Sequence, residues 1–97
     1  MGSAYIIVRI KRTRDEGWAE YRAEVTKLIA AFSGCTIVGA QRPEVLEGDE
    51  EDRQLVVLEF PSMEVIHAFW GSPEYISIKA LRDRSGTLDA WAVQGMD

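Results

Sequence analysis

Two short segments constrain the fold of this chain more than any other feature, because both are apolar or aromatic at every position. They are Tyr5–Val8 (YIIV) and Leu55–Leu58 (LVVL). Both lack glycine and proline and are rich in β-branched residues, which favours β-strands. Successive side chains of a strand point to opposite faces, so a strand with one face in water normally alternates apolar and polar residues. We therefore expect both faces of these two strands to be covered.

The rest of the pattern predicts the order strand, helix, strand, strand, helix, strand. Strands are expected from Ala4 to Arg12, from Cys35 to about Arg42 with a bulge at Gly39, from Gln54 to Phe60, and from Thr87 to about Gln94. Since the length of 97 residues suits one domain, we predict a single domain over residues 1–97.

The first helix is predicted to begin at a capping box, Thr13–Glu16, and to end at a left-handed Gly34. Between them an apolar stripe recurs at helical spacing: Trp18, Tyr21, Val25, Leu28, Ile29 and Phe32. The second helix is predicted from Met63 to about Trp70 with Ser62 as its cap. A further piece begins at Ser72-Pro73 and stops near Ser85-Gly86.

This order predicts an α+β, ferredoxin-like βαββαβ fold: a four-stranded antiparallel sheet with both helices on one face. The two apolar strands are central in that topology. Helices cover one sheet face, and the other would expose a large apolar patch to water. A second copy packing its sheet against the first is the simplest cover, so we expect a homodimer.

Several classes of protein are excluded by what the sequence lacks. One cysteine and one histidine allow neither an internal disulfide nor the usual Cys/His zinc site, and no apolar run approaches the ~20 residues of a membrane span. There is no phosphate-binding glycine loop, nucleophile elbow or zinc-protease motif. We expect a cytoplasmic protein with no metal, no cofactor and no membrane contact.

The net charge of −5 is concentrated in residues 44–52, which contain six acids and no base. Without these six acids the chain would carry a net charge of +1. A solvated loop is the favoured interpretation of this acidic segment, and an acidic docking site is the alternative. An acidic domain repels a phosphate backbone, and these strands are aliphatic rather than aromatic, so we expect no nucleic-acid partner.

Two residues are candidates for catalysis. Glu59 lies in an apolar strand, where it could act as a general base; the favoured alternative is a structural acceptor for a partner such as Tyr5 or Arg9. His67 is the only histidine and could transfer protons near neutral pH, although a surface or interface position is the favoured alternative. Cys35 has no histidine-based dyad visible in the sequence, so packing is its expected role.

Five residues are candidates for ligand binding. Tyr21, Trp70 and Tyr75 combine large apolar rings with polar tips, as the lining of a small-molecule cleft does, although core packing is the favoured alternative. Arg42 and Arg82 could each hold a carboxylate through paired hydrogen bonds, although a surface position is the favoured alternative.

Four segments together resemble a family of small bacterial proteins, domain of unknown function 1330. They are Glu44–Asp49 (EVLEGD), Leu55–Ser62 (LVVLEFPS), Trp70–Tyr75 (WGSPEY) and Ile78–Arg82 (IKALR). The resemblance spans nearly the whole chain and implies a dimeric α+β barrel, but no substrate. The positions characteristic of the family correspond here to Tyr21, Glu47, Gly48, Glu59, Phe60, Trp70, Ser72, Tyr75 and Arg82.

This chain departs from its relatives in the second strand. Relatives tend to carry an Arg-Gly-Gly stretch where this chain has Gly39-Ala40-Gln41. If that arginine contacts a ligand in relatives, the role is lost here or has moved to Arg42.

Two functions remain open. The first is a homodimeric protein that binds a small organic molecule between helices and sheet, as the two-faced apolar strands and the aromatic residues suited to a cleft indicate. The alternative is a cofactor-independent oxygenase or isomerase for a small aromatic or polyketide-like substrate, with Glu59 or His67 as base and Tyr21 or Tyr75 orienting the substrate; it rests on analogy between folds. Haem degradation is disfavoured because the asparagine that such relatives use is missing: this chain contains no asparagine.

Overall fold

The structure is a computed structural model that describes residues 2–96, and its four strands form one antiparallel sheet. The strands are β1 (Ala4–Arg12), β2 (Cys35–Gln41), β3 (Gln54–Phe60) and β4 (Gly86–Gln94). Their order across the sheet is β2-β3-β1-β4, so the two apolar strands are central, as predicted. The predicted irregularity in β2 is confirmed, because its pairing with β3 shifts register on both sides of Val38.

The helices are α1 (Trp18–Ala31), α2 (Met63–Trp70) and α3 (Pro73–Lys79), followed by a 3-10 helix, Ala80–Arg82. The hydroxyls of Ser62 and Ser72 each accept a hydrogen bond from a backbone N–H three residues later, at 3.1 Å. Both predicted caps are therefore confirmed. The architecture is the predicted ferredoxin-like α+β fold. No helix within residues 2–96 is long and apolar enough to span a bilayer.

The start of α1 differs from the prediction. Thr13–Glu16 do not form a capping box: the helix begins at Trp18, and its N-terminal cap is Gly17, which makes no side-chain hydrogen bond. Gly17 has a φ of +84°, and a Cβ at this position would lie 1.9 Å from the carbonyl oxygen of Leu81. The backbone N–H of Thr13 instead donates to the carbonyl oxygen of Ser85 at 2.9 Å, which holds this segment against the start of β4.

The end of α1 also differs from the prediction, since Gly34 is not left-handed. Ser33 takes that conformation, with a φ of +64°, and the N–H of Gly34 donates to the carbonyl oxygen of Ile29 at 2.9 Å. A Cβ at position 34 would lie 2.6 Å from Cε1 of Phe60. Glycine is therefore required here by the close approach of the Phe60 ring and not by backbone conformation.

The hydrophobic core lies between the helices and one face of the sheet. α2 packs across β1, β3 and β4, whereas α1 packs mainly against α3 and the 3-10 helix. As a result, α1 leaves space above β3 and β2. The buried core residues are Ala4, Ile6, Val8, Ile29, Leu58, Phe60, Ile66, Phe69 and Tyr75.

The opposite face of the sheet carries apolar side chains without a cover from residues 2–96. Strand register places Ile7, Val57 and Trp91 side by side on this face. On this face Trp91 and Val93 are 45% and 43% exposed. We call this surface the open sheet face.

The acids of the acidic segment are exposed except for Glu51, which is half-buried. Glu51 accepts a hydrogen bond from Arg9 at 3.0 Å, and Asp52 accepts one from Lys11 at 3.3 Å. Asp52 remains 62% exposed in this ion pair. The solvated loop, with an acidic docking site as its alternative, stays a prediction.

Candidate functional site

A cavity of about 500 Å³ lies between α1 and the helix-covered face of the sheet. It occupies the space that α1 leaves above β3 and β2, and the small residues Thr36, Gly39 and Ala40 line it on β2. Ligand pockets in proteins typically measure about 300–1,000 Å³, so this volume suits a small organic molecule. The aliphatic part of the lining includes Val8, Val25, Ile29, Val56, Leu58 and Leu88.

Five aromatic side chains on the helices line the same cavity: Trp18, Tyr21, Phe69, Trp70 and Tyr75. The rings of Trp18 and Tyr21 meet edge to face with centroids 5.8 Å apart. Those of Trp70 and Tyr75 lie 4.8 Å apart. These contacts fix the orientation of each ring, so one wall of the cavity is a set of positioned aromatic surfaces.

A chain of polar groups joins three helical elements beside this wall. The hydroxyl oxygens of Tyr21 on α1 and Tyr75 on α3 are 3.0 Å apart, within hydrogen-bond distance. Arg82 in the 3-10 helix donates from Nη2 to the hydroxyl oxygen of Tyr75 at 3.3 Å. Its guanidinium carbon also lies 5.0 Å from the centre of the Tyr21 ring, as in a cation–π contact.

Arg82 is buried, with 6% of its surface exposed. Among residues 2–96, its Nε atom has no hydrogen-bond acceptor. Burial acts to lower the pKa of Arg82, but hydrogen bonding and charge interaction with Tyr21 and Tyr75 outweigh it and raise the pKa overall. Arg82 is therefore a permanent cation behind the cavity wall.

Tyr75 is 2% exposed. Burial raises the pKa of its hydroxyl, as does the neighbouring Tyr21, while Arg82 opposes this increase. The net pKa is well above its ordinary value, so the Tyr75 hydroxyl keeps its proton and stays neutral throughout the physiological pH range.

The charged residues that line the cavity are cationic. Arg12 on β1 and Arg22 on α1 are both part of the lining, and no aspartate or glutamate among residues 2–96 belongs to it. The guanidinium carbon of Arg12 lies 5.5 Å from the centre of the Trp18 ring. The lining therefore has a positive charge, although the chain as a whole has a net charge of −5.

Comparison with known families identifies the chain. The model of the family described as "Domain of unknown function (DUF1330)" matches residues 3–96. The chain belongs to this family. None of the curated proteins matches its sequence.

Solved structures similar to this DUF1330 protein show that the fold is shared by distant sequences. A protein of unknown function from Rhodopseudomonas palustris superposes with a TM-score of 0.80 at 13% identity, covering 99% of this chain and 84% of that one. A cofactor-independent oxygenase from Streptomyces nogalater superposes with a TM-score of 0.59 at 11% identity, covering 100% and 96%.

A third similar structure is a dimeric protein of unknown function with a ferredoxin-like fold from Bacteroides fragilis. Its TM-score is 0.56 at 13% identity, and the alignment covers 98% of each chain. At these identities the likeness concerns the fold alone.

Three of the five ligand-binding candidates from the sequence lie in the cavity wall: Tyr21, Trp70 and Tyr75. Arg82 lies behind that wall, bonded to Tyr75, and is buried rather than on the surface. Arg42 is exposed just beyond the end of β2 and lines a separate, open depression with Asp52 and Lys11. The structure thus brings four candidates together and leaves Arg42 apart.

Neither catalytic candidate lies in the cavity. Glu59 points to the open sheet face, where it accepts a hydrogen bond from the Tyr5 hydroxyl at 3.2 Å, with Cys35 Sγ at 3.9 Å. The hydrogen bond to Glu59 and its charge raise the pKa of Tyr5. His67 is exposed on α2. Within residues 2–96, no cluster of three potential metal ligands occurs.

Sequence reasoning missed four polar or amphipathic residues of the lining on β1 and α1: Arg12, Trp18, Arg22 and Thr26. Helical spacing could have predicted that some of these residues lie together. Trp18, Tyr21, Arg22 and Val25 occupy positions i, i+3, i+4 and i+7 and so share one side of a helix. Nothing in the sequence indicated that α1 would stand away from the sheet, so this side was interpreted as core.

Proposed function

We propose that this protein binds a small organic molecule in the cavity between α1 and the sheet, and that it works as a homodimer joined through the open sheet faces. The cavity itself is the observation that supports binding most directly. Its floor is aliphatic, one wall is aromatic, and a few polar groups converge on it. This combination is typical of sites that take their affinity from apolar contact and their selectivity from a few hydrogen bonds.

The shape of the aromatic wall favours a flat molecule. Trp18, Tyr21, Trp70 and Tyr75 are fixed by contacts with one another, by the Tyr21–Tyr75 hydrogen bond, and by the indole N–H of Trp18, which donates to the carbonyl oxygen of Ser85 at 2.8 Å. Positioned aromatic rings lose little conformational entropy when a planar ligand stacks on them. The proposed ligand is therefore an aromatic or extended conjugated molecule.

The homodimer is supported by the open sheet face. A protomer alone would leave Trp91 and Val93 nearly half exposed beside Ile7 and Val57. Contiguous apolar patches of this kind on soluble proteins usually mark an interface. The face can pack against its own copy around a two-fold axis. A similar protein with a ferredoxin-like fold from Bacteroides fragilis is dimeric, which is consistent with this proposal.

Binding is favoured over catalysis by the position of the bases. In the oxygenase or isomerase alternative, Glu59 or His67 removes a proton from the substrate, and a general base must lie within hydrogen-bond reach of that proton. Glu59 lies on the other side of the sheet from the cavity, and His67 is not part of the lining. The polar groups that do line it include two tyrosines and two arginines, which are suited to orienting and holding a molecule.

Native mass spectrometry of the protein purified gently from its own host tests both parts of the proposal. We expect a dimer that carries a reproducible additional mass. Val25→Trp should remove this mass, because the larger side chain fills the cavity from α1. Ile76→Trp is the matched control, since Ile76 is 61% exposed on α3 and is not part of the lining. A monomer would contradict the dimer, and an additional mass that survives Val25→Trp would contradict the location of the site.

A further inference from the structure

The buried cation behind the aromatic wall lacks a counter-charge. No carboxylate among residues 2–96 lies within ion-pair distance of Arg82, whereas Arg9 and Arg53 on the open face are both paired with acids. Among residues 2–96, the polar groups beside the Arg82 guanidinium are the hydroxyl of Tyr75, to which it donates, and that of Tyr21; neither residue supplies a carboxylate. Burying an unpaired charge is costly unless something compensates it. A residue used only for packing would gain nothing from this charge.

Hydrogen bonds link the Arg82 guanidinium, through the two tyrosine hydroxyls, to the cavity. A guanidinium can only donate, so Arg82 uses the oxygen of the Tyr75 hydroxyl as acceptor. Either hydroxyl of the Tyr21–Tyr75 pair could donate across their separation of 3.0 Å. Because the Tyr75 oxygen already accepts from Arg82, we assign the Tyr75 hydrogen to the oxygen of Tyr21. This leaves the Tyr21 hydrogen free to point into the cavity that its side chain lines. A donor at the end of a chain polarised by a cation binds a negatively charged acceptor most strongly.

The rest of the lining has the same polarity. Arg12 and Arg22 add positive charge to the lining, and no acid among residues 2–96 belongs to it. This distribution is the reverse of the chain's net charge of −5. The acids therefore lie elsewhere, and the cavity is left with a potential that attracts anions.

We infer that the ligand of this cavity is an aromatic organic anion, whose ionised oxygen accepts a hydrogen bond from the Tyr21 hydroxyl. Tyr75 and Arg82 act as positioning residues: they orient and polarise that hydroxyl, and Arg82 supplies the opposite charge. The aromatic body of the anion lies against Trp18 and Trp70, and Arg12 and Arg22 attract it from solution. This inference rests on the proposed function of the cavity and adds the chemical class of its ligand.

A pair of probes of the same shape tests the requirement for charge. 2-Naphthoate and 2-naphthamide share one aromatic body, but only the first carries an ionised oxygen near neutral pH. Quenching of Trp18 and Trp70 fluorescence reports the binding of each probe. We expect the wild-type protein to bind the naphthoate at least tenfold more tightly than the amide, as one charge-assisted hydrogen bond provides.

Variants of the hydrogen-bonded residues Tyr21, Tyr75 and Arg82 test which of them cause the preference for the naphthoate over the amide. Tyr21→Phe retains the ring and should reduce the preference for the naphthoate about tenfold, and the Tyr21→Phe/Tyr75→Phe double variant should abolish it. Arg82→Gln should reduce the preference, and Arg82→Lys, which restores the charge, should recover part of it. Tyr5→Phe removes a tyrosine hydroxyl that lies outside the cavity, where it donates to Glu59 on the open sheet face, and should leave the preference unchanged.

The ratio of the two affinities separates this inference from a structural effect, because a misfolded or loosened cavity would weaken both probes alike. Equal affinities of the wild-type protein for both probes would contradict the inference that the ligand is an anion, but not the proposal that the cavity binds an organic molecule. An unchanged preference in the Tyr21→Phe/Tyr75→Phe variant would overturn the role of the tyrosines. Failure of both probes to bind would contradict the proposed function and this inference together.

4-Nitrophenol, titrated on either side of its own pKa, distinguishes a phenolate ligand from a carboxylate. Preferential binding of its ionised form, lost in the same double variant, would extend the class to phenolates. Equal binding of its two forms beside a clear preference for the naphthoate would restrict the class to carboxylates.

Discussion

The hydroxyl oxygens of Tyr21 and Tyr75 lie 3.0 Å apart, although 54 positions separate the two residues along the chain. The hydrogen bond between them joins α1 to α3 at one end of the cavity, and Arg82 extends it into the 3-10 helix. One short polar contact therefore fixes the relative position of the helices that form the cavity wall. Because Tyr75 is buried, this contact also couples the stability of the fold to pH.

Stability should fall in alkaline solution, and Tyr75 should be a main cause. Burial raises the pKa of Tyr75 in the folded protein above the ordinary value of 10.0. The unfolded tyrosine keeps that ordinary value, so above about pH 10 it loses its proton while the folded one retains it. The unfolded state then binds fewer protons, and the free energy of unfolding decreases as pH rises, by at most about 1.4 kcal/mol per pH unit. Below this range the stabilisation is fully present.

Urea unfolding as a function of pH, measured on the wild type and Tyr75→Phe, tests this expectation. The free energy of unfolding of Tyr75→Phe should decrease less than that of the wild type as the pH is raised from neutral to strongly alkaline values. Tyr5→Phe is the informative comparison, because the pKa of Tyr5 is also raised, by its hydrogen bond to Glu59, but on the open sheet face. A pH profile that Tyr75→Phe leaves unchanged would show that Tyr75 is not the group responsible.

Gly34 should be intolerant of a side chain, whereas Gly39 should accept one. An alanine Cβ at position 34 would lie 2.6 Å from the ring of Phe60, which is 1% exposed and cannot move freely. At position 39 the nearest atom would be 3.9 Å away, at Thr36. Overpacking in a core costs about 1–3 kcal/mol. Gly34→Ala should therefore lower the free energy of unfolding by about this amount, and Gly39→Ala should change it little; similar values for both variants in chemical denaturation would contradict the proposed clash.

Gly34 also illustrates what the sequence could and could not predict about the fold. The strands, the helix caps at Ser62 and Ser72, and the central position of β1 and β3 follow from local patterns, and the structure has all of them. The ends of α1 do not follow, since they are set by contacts with Phe60 and Leu81, distant in the sequence. A local motif such as Thr13–Glu16 cannot form when tertiary contacts hold its backbone elsewhere.

The two serine caps should differ in their energetic importance. Ser62 caps α2 through one hydrogen bond to the N–H of Val65. Ser72 is buried, accepts from the N–H of Tyr75 at 3.1 Å, and donates to the carbonyl oxygen of Phe69 at 2.8 Å. We expect Ser62→Ala to cost about 1 kcal/mol and Ser72→Ala to cost about 2 kcal/mol, because it leaves buried polar groups unpaired.

Ser72→Ala should also weaken the binding of 2-naphthoate, since Ser72 holds the first turn of α3, on which Tyr75 lies. Ser62→Ala should leave that affinity unchanged. Chemical denaturation and fluorescence quenching of the same two proteins provide both comparisons, and equal losses of stability would contradict the difference in burial that we invoke.

The sequence predicted several residues of the candidate site, but it did not predict how they are arranged. Tyr21, Trp70 and Tyr75 stand out as amphipathic aromatics, and all three line the cavity. The position of Arg82 was not predictable, because an arginine near the end of a helix is normally on the surface. Its burial depends on the packing of the 3-10 helix against α1, a long-range contact that local spacing does not encode. Glu59 differs in the opposite way: the sequence made it a candidate for catalysis, but its side chain points to the other sheet face, away from the cavity.

The open sheet face should determine the oligomeric state. Val57 lies on a central strand of this face, beside Ile7. Val57→Glu should convert the proposed dimer into a monomer, because a carboxylate buried between two apolar sheets has no partner to compensate its desolvation. In an isolated protomer the same carboxylate would be exposed to solvent on the open sheet face. Val57→Glu should therefore have little effect on the core of the protomer.

Analytical ultracentrifugation at several protein concentrations measures this effect. Ile76→Glu is the matched control: it places the same charge at an apolar side chain that is 61% exposed, on α3 on the helical side of the molecule. A dimer that dissociates in Val57→Glu and persists in Ile76→Glu locates the interface on the sheet. A dimer that persists in both places the contact elsewhere. Unfolding of Val57→Glu on dissociation would show that the protomer depends on its partner for stability, so that folding and assembly are one equilibrium.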